Sequence, residues 1–470
     1  MERVNLRPRR ILGGGMVLAS LLLHGCEDPQ VEIVLPPGPS GHLERIFGVG
    51  ADLLPEGQWT VPALHGLAPP TTPELFVYEP PGHDGVTPLP ILYLLHGLGG
   101  DHTFFPYTLG IRSLLDDAIA EGRMEPAWVV MPNGLQSQGG SFFVDSLLDD
   151  HGSVSDPANV VFGPFARYLL AVMDAMESRY PFVGEPFRLD AFLAGERVAS
   201  TGRGILGFGM GGYAALMSSI RAPVFQAIVA HSPFVDLERV VRETDPRLGA
   251  TWRVRIGEEF LATYGTLLLD HRLTELADYD HPSLIATILA MGSAFSPRRG
   301  PLADFDMAST LTPPVPGADP DGDPGTNHVY PLRRINGAET PDESDDEWIG
   351  AALPMDASGA VVDAILLPWL LNHDPRIALS DPTAVQGLID SGARVWLDVG
   401  SSDELGLEDD LLAFVPLIES SLPAGSVLWE TYAGGHGDRL RERLETSIPW
   451  AASTLWEGRQ EAADPAPSRH

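Results

Sequence analysis

The stretch Arg203–Leu216 constrains the fold more than any other part of the sequence. It reads RGILGFGMGGYAAL, an apolar segment of strand length that runs into a helical segment through a turn built mostly of glycine. Glycine is the residue of choice where a backbone must take positive φ or approach another backbone closely. The pattern predicts a strand, a tight turn and a helix in direct succession, as in α/β folds.

This glycine turn also fits two simpler interpretations. It could be a plain strand-to-helix turn, or a weak GxGxxG phosphate loop of a dinucleotide fold. Such a loop belongs to the first strand and helix of its fold and is followed about 20 residues later by an acid. Here at least two predicted strands precede the turn, and the next strand, Ala227–Pro233, ends without an acid. The dinucleotide interpretation is therefore disfavoured.

Composition and charge exclude several classes of partner. The 470 residues are 44% hydrophobic, enough for a large core, and the formal net charge is −34. All 30 basic residues are arginine. Because nucleic acids and anionic membrane surfaces reward basic patches, neither is an expected partner of this chain.

The first 25 residues resemble the signal peptide of a bacterial lipoprotein. Arginines precede the apolar run Ile11–Leu23, which ends in Leu-His-Gly-Cys at Cys26, the only cysteine of the chain. The run is short for a membrane span and has the length of a signal-peptide core. The resemblance implies an exported protein anchored to the membrane of the cell envelope by lipidation of Cys26. His24 is unusual in this motif, so secretion with an ordinary signal peptide is the alternative.

The rest of the chain is expected to divide into five segments. Residues 26–73, rich in proline and glycine, are interpreted as a tether and lead-in. Residues 74–295 and 391–458 are interpreted as two parts of one α/β core, separated by an insertion at 296–390. Residues 459–470 are interpreted as a disordered tail.

Strand and helix signals alternate through the predicted core. Strands are expected at Leu75–Tyr78, Ile91–Leu95, Ala127–Met131, Ile205–Phe208, Ala227–Pro233, Arg394–Val399 and Ser426–Tyr432, and helices at Phe165–Tyr180, Glu258–Leu269, Pro282–Met291, Asp409–Ile418 and Arg439–Trp456. This alternation predicts a mostly parallel sheet with helices on both faces. The insertion lies between Ala227–Pro233 and Arg394–Val399, assigned as the sixth and seventh core strands. It is expected to pack over the carboxyl ends of the strands, where open α/β sheets carry their sites.

Part of the insertion, Pro313–Asp346, has no apolar period and contains the run DPDGDPGTN. Its alternate acids Asp319, Asp321 and Asp323 resemble a calcium loop, but the glycine and glutamate that an EF-hand needs further along are missing. A solvated acidic loop is the preferred interpretation. No metal or other cofactor is therefore expected, with calcium at this loop as the alternative.

Segments along the whole core together resemble the putative-esterase family of α/β-hydrolases, which includes S-formylglutathione hydrolase, feruloyl esterases and mycolyltransferases. They are ILYLLHGLGGDHTFF from residue 91, VVMPNG from 129, GSFFVDS from 140, GFGMGGYAAL from 207, DVGSSDELGL from 398 and YAGGHGD from 432. The resemblance covers about residues 75 to 456. It implies the α/β-hydrolase fold and chemistry on carboxylic esters.

In that family the glycine turn holds a nucleophilic serine in the pattern GxSMGG. Here the turn reads GFGMGG, so the nucleophile position is Gly209, which has no side chain. By resemblance, Asp403 and His436 take the places of the acid and the base, in the family's chain order. The oxyanion would accept hydrogen bonds from the backbone N–H groups of Leu98 and Met210.

Alternatives to these assignments exist for the acid and for the nucleophile. Glu404 follows Asp403 directly and could be the acid instead. Ser218, Ser219 and Ser232 are replacement nucleophiles only in principle, because the first two fall inside the predicted helix and the third follows the neighbouring strand.

Two functions follow from the missing hydroxyl. Acyl transfer in this fold passes through a covalent acyl-enzyme, which Gly209 cannot form. The preferred function is therefore a degenerate esterase that binds a ligand or partner, such as a small-molecule ester or acyl compound, in the retained cleft. The alternative is a working ester hydrolase in which His436, held by Asp403, activates water. Neither the substrate nor the oligomeric state is predicted.

Overall fold

The computed structural model describes residues 40–49, 74–136, 139–148, 160–242, 244–245, 250–251, 282–301, 329–334, 347–354 and 361–463. The predicted signal peptide, Cys26, the helix expected at Glu258–Leu269 and the acidic loop Asp319–Asp323 lie outside these residues. So does most of Pro313–Asp346.

The strands of the described residues are numbered in chain order. They are β1 His42–Phe47, β2 Glu74–Glu79, β3 Ile91–Leu95, β4 Trp128–Pro132, β5 Asp145–Leu147, β6 Val160–Pro164, β7 Arg203–Phe208, β8 Ala227–His231, β9 Thr244–Asp245, β10 Ala250–Thr251, β11 Pro297–Pro301, β12 Val329–Arg334, β13 Glu347–Ala352, β14 Arg394–Gly400 and β15 Val427–Tyr432.

The helices of the described residues are numbered in the same way. They are α1 Ile111–Ala120, α2 Phe165–Arg179, α3 Leu189–Leu193, α4 Met210–Arg221, α5 Leu237–Arg242, α6 Pro282–Phe295, α7 Asp363–His373, α8 Pro375–Ala378, α9 Pro382–Asp390, α10 Leu407–Ser421 and α11 Leu440–Ala463, with a π-helical turn at Phe104–Thr108. None of these helices is long and apolar enough to cross a membrane.

A central sheet in the described residues has the order β1-β2-β4-β3-β7-β8-β14-β15. Neighbours from β4 to β15 are parallel, whereas β1 and β2 add to one edge in antiparallel orientation. The predicted mostly parallel sheet is thus confirmed. Its inner strands are continuous apolar runs, such as Ile91–Leu95 with every residue buried, because a parallel sheet is covered on both faces.

The two faces of the sheet carry separate cores. Along β3, Ile91, Tyr93 and Leu95 belong to the cluster packed by α2, α4 and α10, whereas Leu92 and Leu94 belong to the cluster packed by α1 and α11. Alternate residues of a strand point to opposite faces, so one apolar segment contributes to both cores. This layering leaves the carboxyl ends of the parallel strands free to carry a site.

Two stretches differ from the sequence expectation. Residues His42–Phe47, inside the expected tether 26–73, form an edge strand: Ile46 is buried and the Arg45 guanidinium pairs with Glu74. Alternation is too short there to stand out among prolines and glycines. At the other end, α11 continues to Ala463, into the expected tail 459–470.

The chain between β8 and β14 contains a small antiparallel sheet of order β11-β13-β12 and the helices α7, α8 and α9. These three helices fall inside the stretch 296–390, which the sequence predicts to be an insertion. Leu366, Trp369 and Leu388 on them are buried in the same core as α4. The part of this stretch from 363 to 390 is therefore integrated into the α/β layers.

Candidate active site

Gly209 lies at the junction of β7 and α4, in the turn on which the sequence interpretation depends. Its backbone has φ 55° and ψ −113°, a conformation that residues with a side chain rarely adopt. The Gly209 N–H donates to the His231 carbonyl of the neighbouring strand at 2.8 Å. The turn thus has the sharp strand-to-helix geometry of a nucleophile elbow, with glycine in the strained position.

The other glycines of the turn are required by close packing. A Cβ on Gly207 would lie 2.0 Å from the Gly211 carbonyl oxygen, and one on Gly211 would lie 2.1 Å from the Leu95 carbonyl oxygen. A Cβ on Gly209, in contrast, would meet only a side chain, with His436 Nε2 at 2.9 Å. The elbow therefore aims position 209 directly at the imidazole.

His436 and Asp403 form a hydrogen-bonded pair next to this position. Asp403 Oδ2 lies 2.9 Å from His436 Nδ1, and Asp403 Oδ1 accepts the Leu405 N–H at 2.8 Å. Both residues are buried, with 6% and 3% exposure for His436 and Asp403. Glu404 Oε2 accepts the backbone N–H of His436 at 2.7 Å instead of contacting the ring. Asp403 is thus the carboxylate that orients the imidazole.

The two expected oxyanion donors lie on turns that meet. Leu98 follows β3, and Met210 is the first residue of α4, where a helix has no acceptor for its N–H. A Cβ on Gly140 would contact the side chains of both Met210 and Leu98. The elbow and the turn after β3 are therefore side by side, as an oxyanion hole requires.

His96 fastens the turn that carries Leu98, a role that the sequence analysis missed. Its Nδ1 donates to the Gly97 carbonyl at 2.8 Å, and its Nε2 accepts the Gly134 N–H at 2.8 Å. Burial lowers the pKa of His96 to about 4, so the ring is neutral at neutral pH. Its position between a buried strand and a glycine turn was the available sequence signal.

Buried polar groups hydrogen-bond to the backbone of the loop that carries His436. The His436 carbonyl accepts hydrogen bonds from Tyr432 Oη at 2.9 Å and Ser232 Oγ at 3.2 Å. Arg443 Nη1 donates to Tyr432 Oη at 2.8 Å. Ser232 thus bonds to the histidine backbone and not to its ring, and Ser219 Oγ donates to a carbonyl within α4. Neither serine is positioned as a replacement nucleophile.

A second histidine–aspartate pair lies beneath the site. His231 Nδ1 is 2.6 Å from Asp398 Oδ2, and His231 Nε2 is 2.9 Å from Ser447 Oγ. Arg443 Nε completes the arrangement at 3.2 Å from Asp398. Burial acts to raise the pKa of Asp398, but His231 and Arg443 outweigh it and lower the pKa to about 2. These four residues are called the buried network below.

Aromatic side chains surround the imidazole of His436. The rings of Phe208 and Phe234 have centroids 5.0 Å and 6.4 Å from it. Phe234 is buried, whereas Phe208 is only partly buried. Among the described residues, no cluster of His, Cys, Asp or Glu side chains is arranged to hold a metal ion.

One protein family and several solved structures are similar to this chain. The family model described as "Putative esterase" matches residues 68–145 and 188–421. The chain is similar to a solved ferulic acid esterase, at 12% identity over 89% of this chain and 100% of that one, with a TM-score of 0.44. It is also similar to S-formylglutathione hydrolases of Staphylococcus aureus (13% identity, 89% and 99% coverage, TM-score 0.42) and Agrobacterium tumefaciens (13%, 90% and 99%, 0.41).

Proposed function

Because this chain belongs to the putative esterase family, we propose that it is a non-catalytic member that uses the retained site to bind a small-molecule acyl ligand. The observation that carries the proposal is Gly209. The elbow lies beside His436, Asp403 and the turn that carries Leu98, which is called the oxyanion turn below. The position that faces the imidazole nevertheless holds no nucleophile. Without a hydroxyl the covalent acyl-enzyme cannot form.

A second candidate function is hydrolysis by a water molecule that His436 activates, and the intact pair with Asp403 at 2.9 Å favours it. A free water, however, cannot approach the Gly209 Cα as closely as a bonded serine oxygen does. The water would be displaced from the point of attack, and a misplacement of about 1 Å can reduce a rate about 10²-fold. We therefore place binding ahead of hydrolysis.

A fluorophosphonate probe and an ester-hydrolysis assay on the purified protein separate the two. A binding protein gives neither labelling nor turnover, whereas the water mechanism gives turnover without labelling. His436→Gln serves as the control, since any turnover that survives this change does not come from the site. Turnover that disappears with His436 would overturn the proposal of a non-catalytic protein.

We further propose that the mature protein is tethered to a membrane through lipidated Cys26, which is supported by the lipoprotein-like sequence around it. Mass spectrometry of the mature N-terminus tests this. A diacylglyceryl-modified Cys26 is expected, and an unmodified N-terminus at another residue would refute the anchor.

A further inference from the structure

We propose that the acyl ligand of this site is a free carboxylic acid, bound as its carboxylate. One carboxylate oxygen accepts from the N–H groups of Leu98 and Met210, and the other accepts from His436 Nε2. This inference rests on the proposed function and names the chemical class of its ligand.

The first argument is the state of the His436 ring. Its side chain is only 8% exposed, and Nε2 faces position 209. The hydrogen bond from the ring to Asp403 uses Nδ1, and no hydrogen-bond partner of Nε2 is found in the part of the chain that the structure describes. Because the nitrogen that faces position 209 has no partner among the described residues, it is available to a ligand. A ligand atom can take the place that a serine hydroxyl would fill.

The second argument is the set of backbone donors beside the ring. The Met210 N–H is the first of a 12-residue helix and has no intrahelical acceptor. The positive end of the helix favours a negative charge there. Leu98 brings the neighbouring turn to the same glycine, Gly140, as Met210. The two turns that carry these N–H groups are therefore neighbours, and the His436 imidazole faces the elbow.

The third argument is the match between donors and acceptors. A carboxylate only accepts hydrogen bonds, so Asp403 requires a proton on His436 Nδ1. When a second carboxylate binds at Nε2, the ring carries both protons and its charge is stabilised from two sides. Every group of the site that faces the ligand is then a hydrogen-bond donor. This matches a carboxylate, which has only hydrogen-bond acceptors. A neutral ester offers one good acceptor oxygen and no charge.

The charges around the ring define the proton balance of binding. Asp403 faces Nδ1, Glu404 and Asp438 accept from the loop backbone, and Arg443 lies behind the His436 carbonyl. Of these groups only His436 touches the ligand position. A bound carboxylate therefore requires a proton on Nε2 of His436 as well as on Nδ1.

Isothermal titration calorimetry of the mature protein with acetate, benzoate and octanoate tests this, with benzamide and methyl benzoate as neutral controls. Repeating each titration in buffers of different ionisation enthalpy measures proton uptake. At least one acid should bind about tenfold or more tightly than either neutral control, with uptake of about one proton. Equal binding of benzamide, absence of uptake or no binding of any acid would overturn the inference.

Two variants locate the effect, and a third controls for it. His436→Gln should lose about tenfold or more of the acid affinity and the proton uptake. Asp403→Asn keeps the ring but should also lose the uptake. His42→Gln, on the exposed side of β1, should bind like the natural protein. Acid binding that survives both site variants would overturn the inference. Ester turnover would instead contradict the proposed function, whatever the affinities.

Discussion

The molecule contains two histidine–aspartate pairs that differ in what faces the free ring nitrogen. In the buried network, His231 Nε2 meets Ser447 Oγ at 2.9 Å, which gives the complete Ser–His–Asp order of a hydrolase. At the candidate site, His436 Nε2 faces the empty side-chain position of Gly209. The first arrangement, which has all three groups, is inaccessible to solvent, because His231, Asp398 and Ser447 have no exposed surface.

The difference shows that a catalytic constellation cannot be identified from the residues alone. His231 and Asp398 are paired in register on the neighbouring strands β8 and β14, and the Asp398 carboxylate also pairs with Arg443. In the part of the chain that the structure describes, neither His231 nor Asp398 is accessible to solvent. His436 has a glycine elbow and an oxyanion turn beside it and lacks only the hydroxyl. One pair is therefore structural and the other is equipped for a ligand.

The largest expected effect comes from Gly209→Ser, which would complete the second constellation. The new hydroxyl should lie within reach of His436 Nε2 once the ring moves back from the Cβ position, 2.9 Å away. Fluorophosphonate labelling should rise from none to near-stoichiometric, with a burst on activated esters. The strained turn should cost about 1–3 kcal/mol of unfolding free energy.

Gly209→Ala is the matched control for this change. It adds the same Cβ in the same backbone conformation and should show the same loss of stability without labelling. A folded Gly209→Ser protein that does not label would mean that His436, Asp403 or the oxyanion turn is displaced.

The next largest effect is a difference in stability between variants of Asp398 and of Asp403. Asp398→Asn leaves Arg443 as a buried charge without its carboxylate and should cost about 3–5 kcal/mol in urea unfolding. Asp403→Asn removes a carboxylate that pairs with a histidine and a backbone N–H only, and should cost about 1 kcal/mol. Equal costs would show that Asp403 is as much a structural group as Asp398.

A third histidine sharpens the comparison because it has no carboxylate partner. Both nitrogens of His96 bond to backbone, and burial lowers its pKa to about 4. Between the unfolded pKa of about 6.5 and the folded pKa, the unfolded chain binds more protons. This contribution to stability is therefore complete above that range. It is lost as pH falls through it, by an amount on the order of 3 kcal/mol.

Urea unfolding of the natural protein and of His96→Gln from pH 7 to pH 4 measures this loss. The variant should be less stable at pH 7 and should show a shallower decline on acidification. An identical decline in both proteins would assign the acid sensitivity to other groups.

The smallest effect is expected for Ser447→Ala. The change removes one hydrogen bond to His231 and should cost about 1 kcal/mol, visible as a small shift in the urea midpoint. In the Gly209→Ser background it should leave fluorophosphonate labelling unchanged. A loss of labelling would mean that the sealed Ser–His–Asp group reacts or supports the site.

The sequence was sufficient for the sheet because long apolar runs leave few alternatives. The strand expected at Ile91–Leu95 was found with those bounds, and the remaining core strands differ by one or two residues at their ends. The short strand His42–Phe47 escaped detection because it is held by pairing with β2 and by Arg45, contacts that are distant in sequence.

The parts of the candidate site that belong to short sequence motifs could be predicted. The glycine turn, Asp403 and His436 belong to such motifs, and the structure brings them together. The supports were not predictable, because Tyr432 and Arg443 act through contacts made only after β14, β15 and α11 have packed. The sequence around Arg443 does not indicate that its guanidinium will contact the His436 carbonyl.

The glycine-rich turn also bears on how such a site could change over time. At Gly207 and Gly211 a new side chain would strike backbone, so those positions cannot vary without rebuilding the turn. Of these three positions, Gly209 is the one where an added side chain would meet the end of another side chain. A serine-to-glycine change there would relax a strained residue while removing the chemistry. The reverse change, from glycine to serine, would have to overcome that gain in stability. Activity at this elbow is therefore lost by mutation more easily than it is regained.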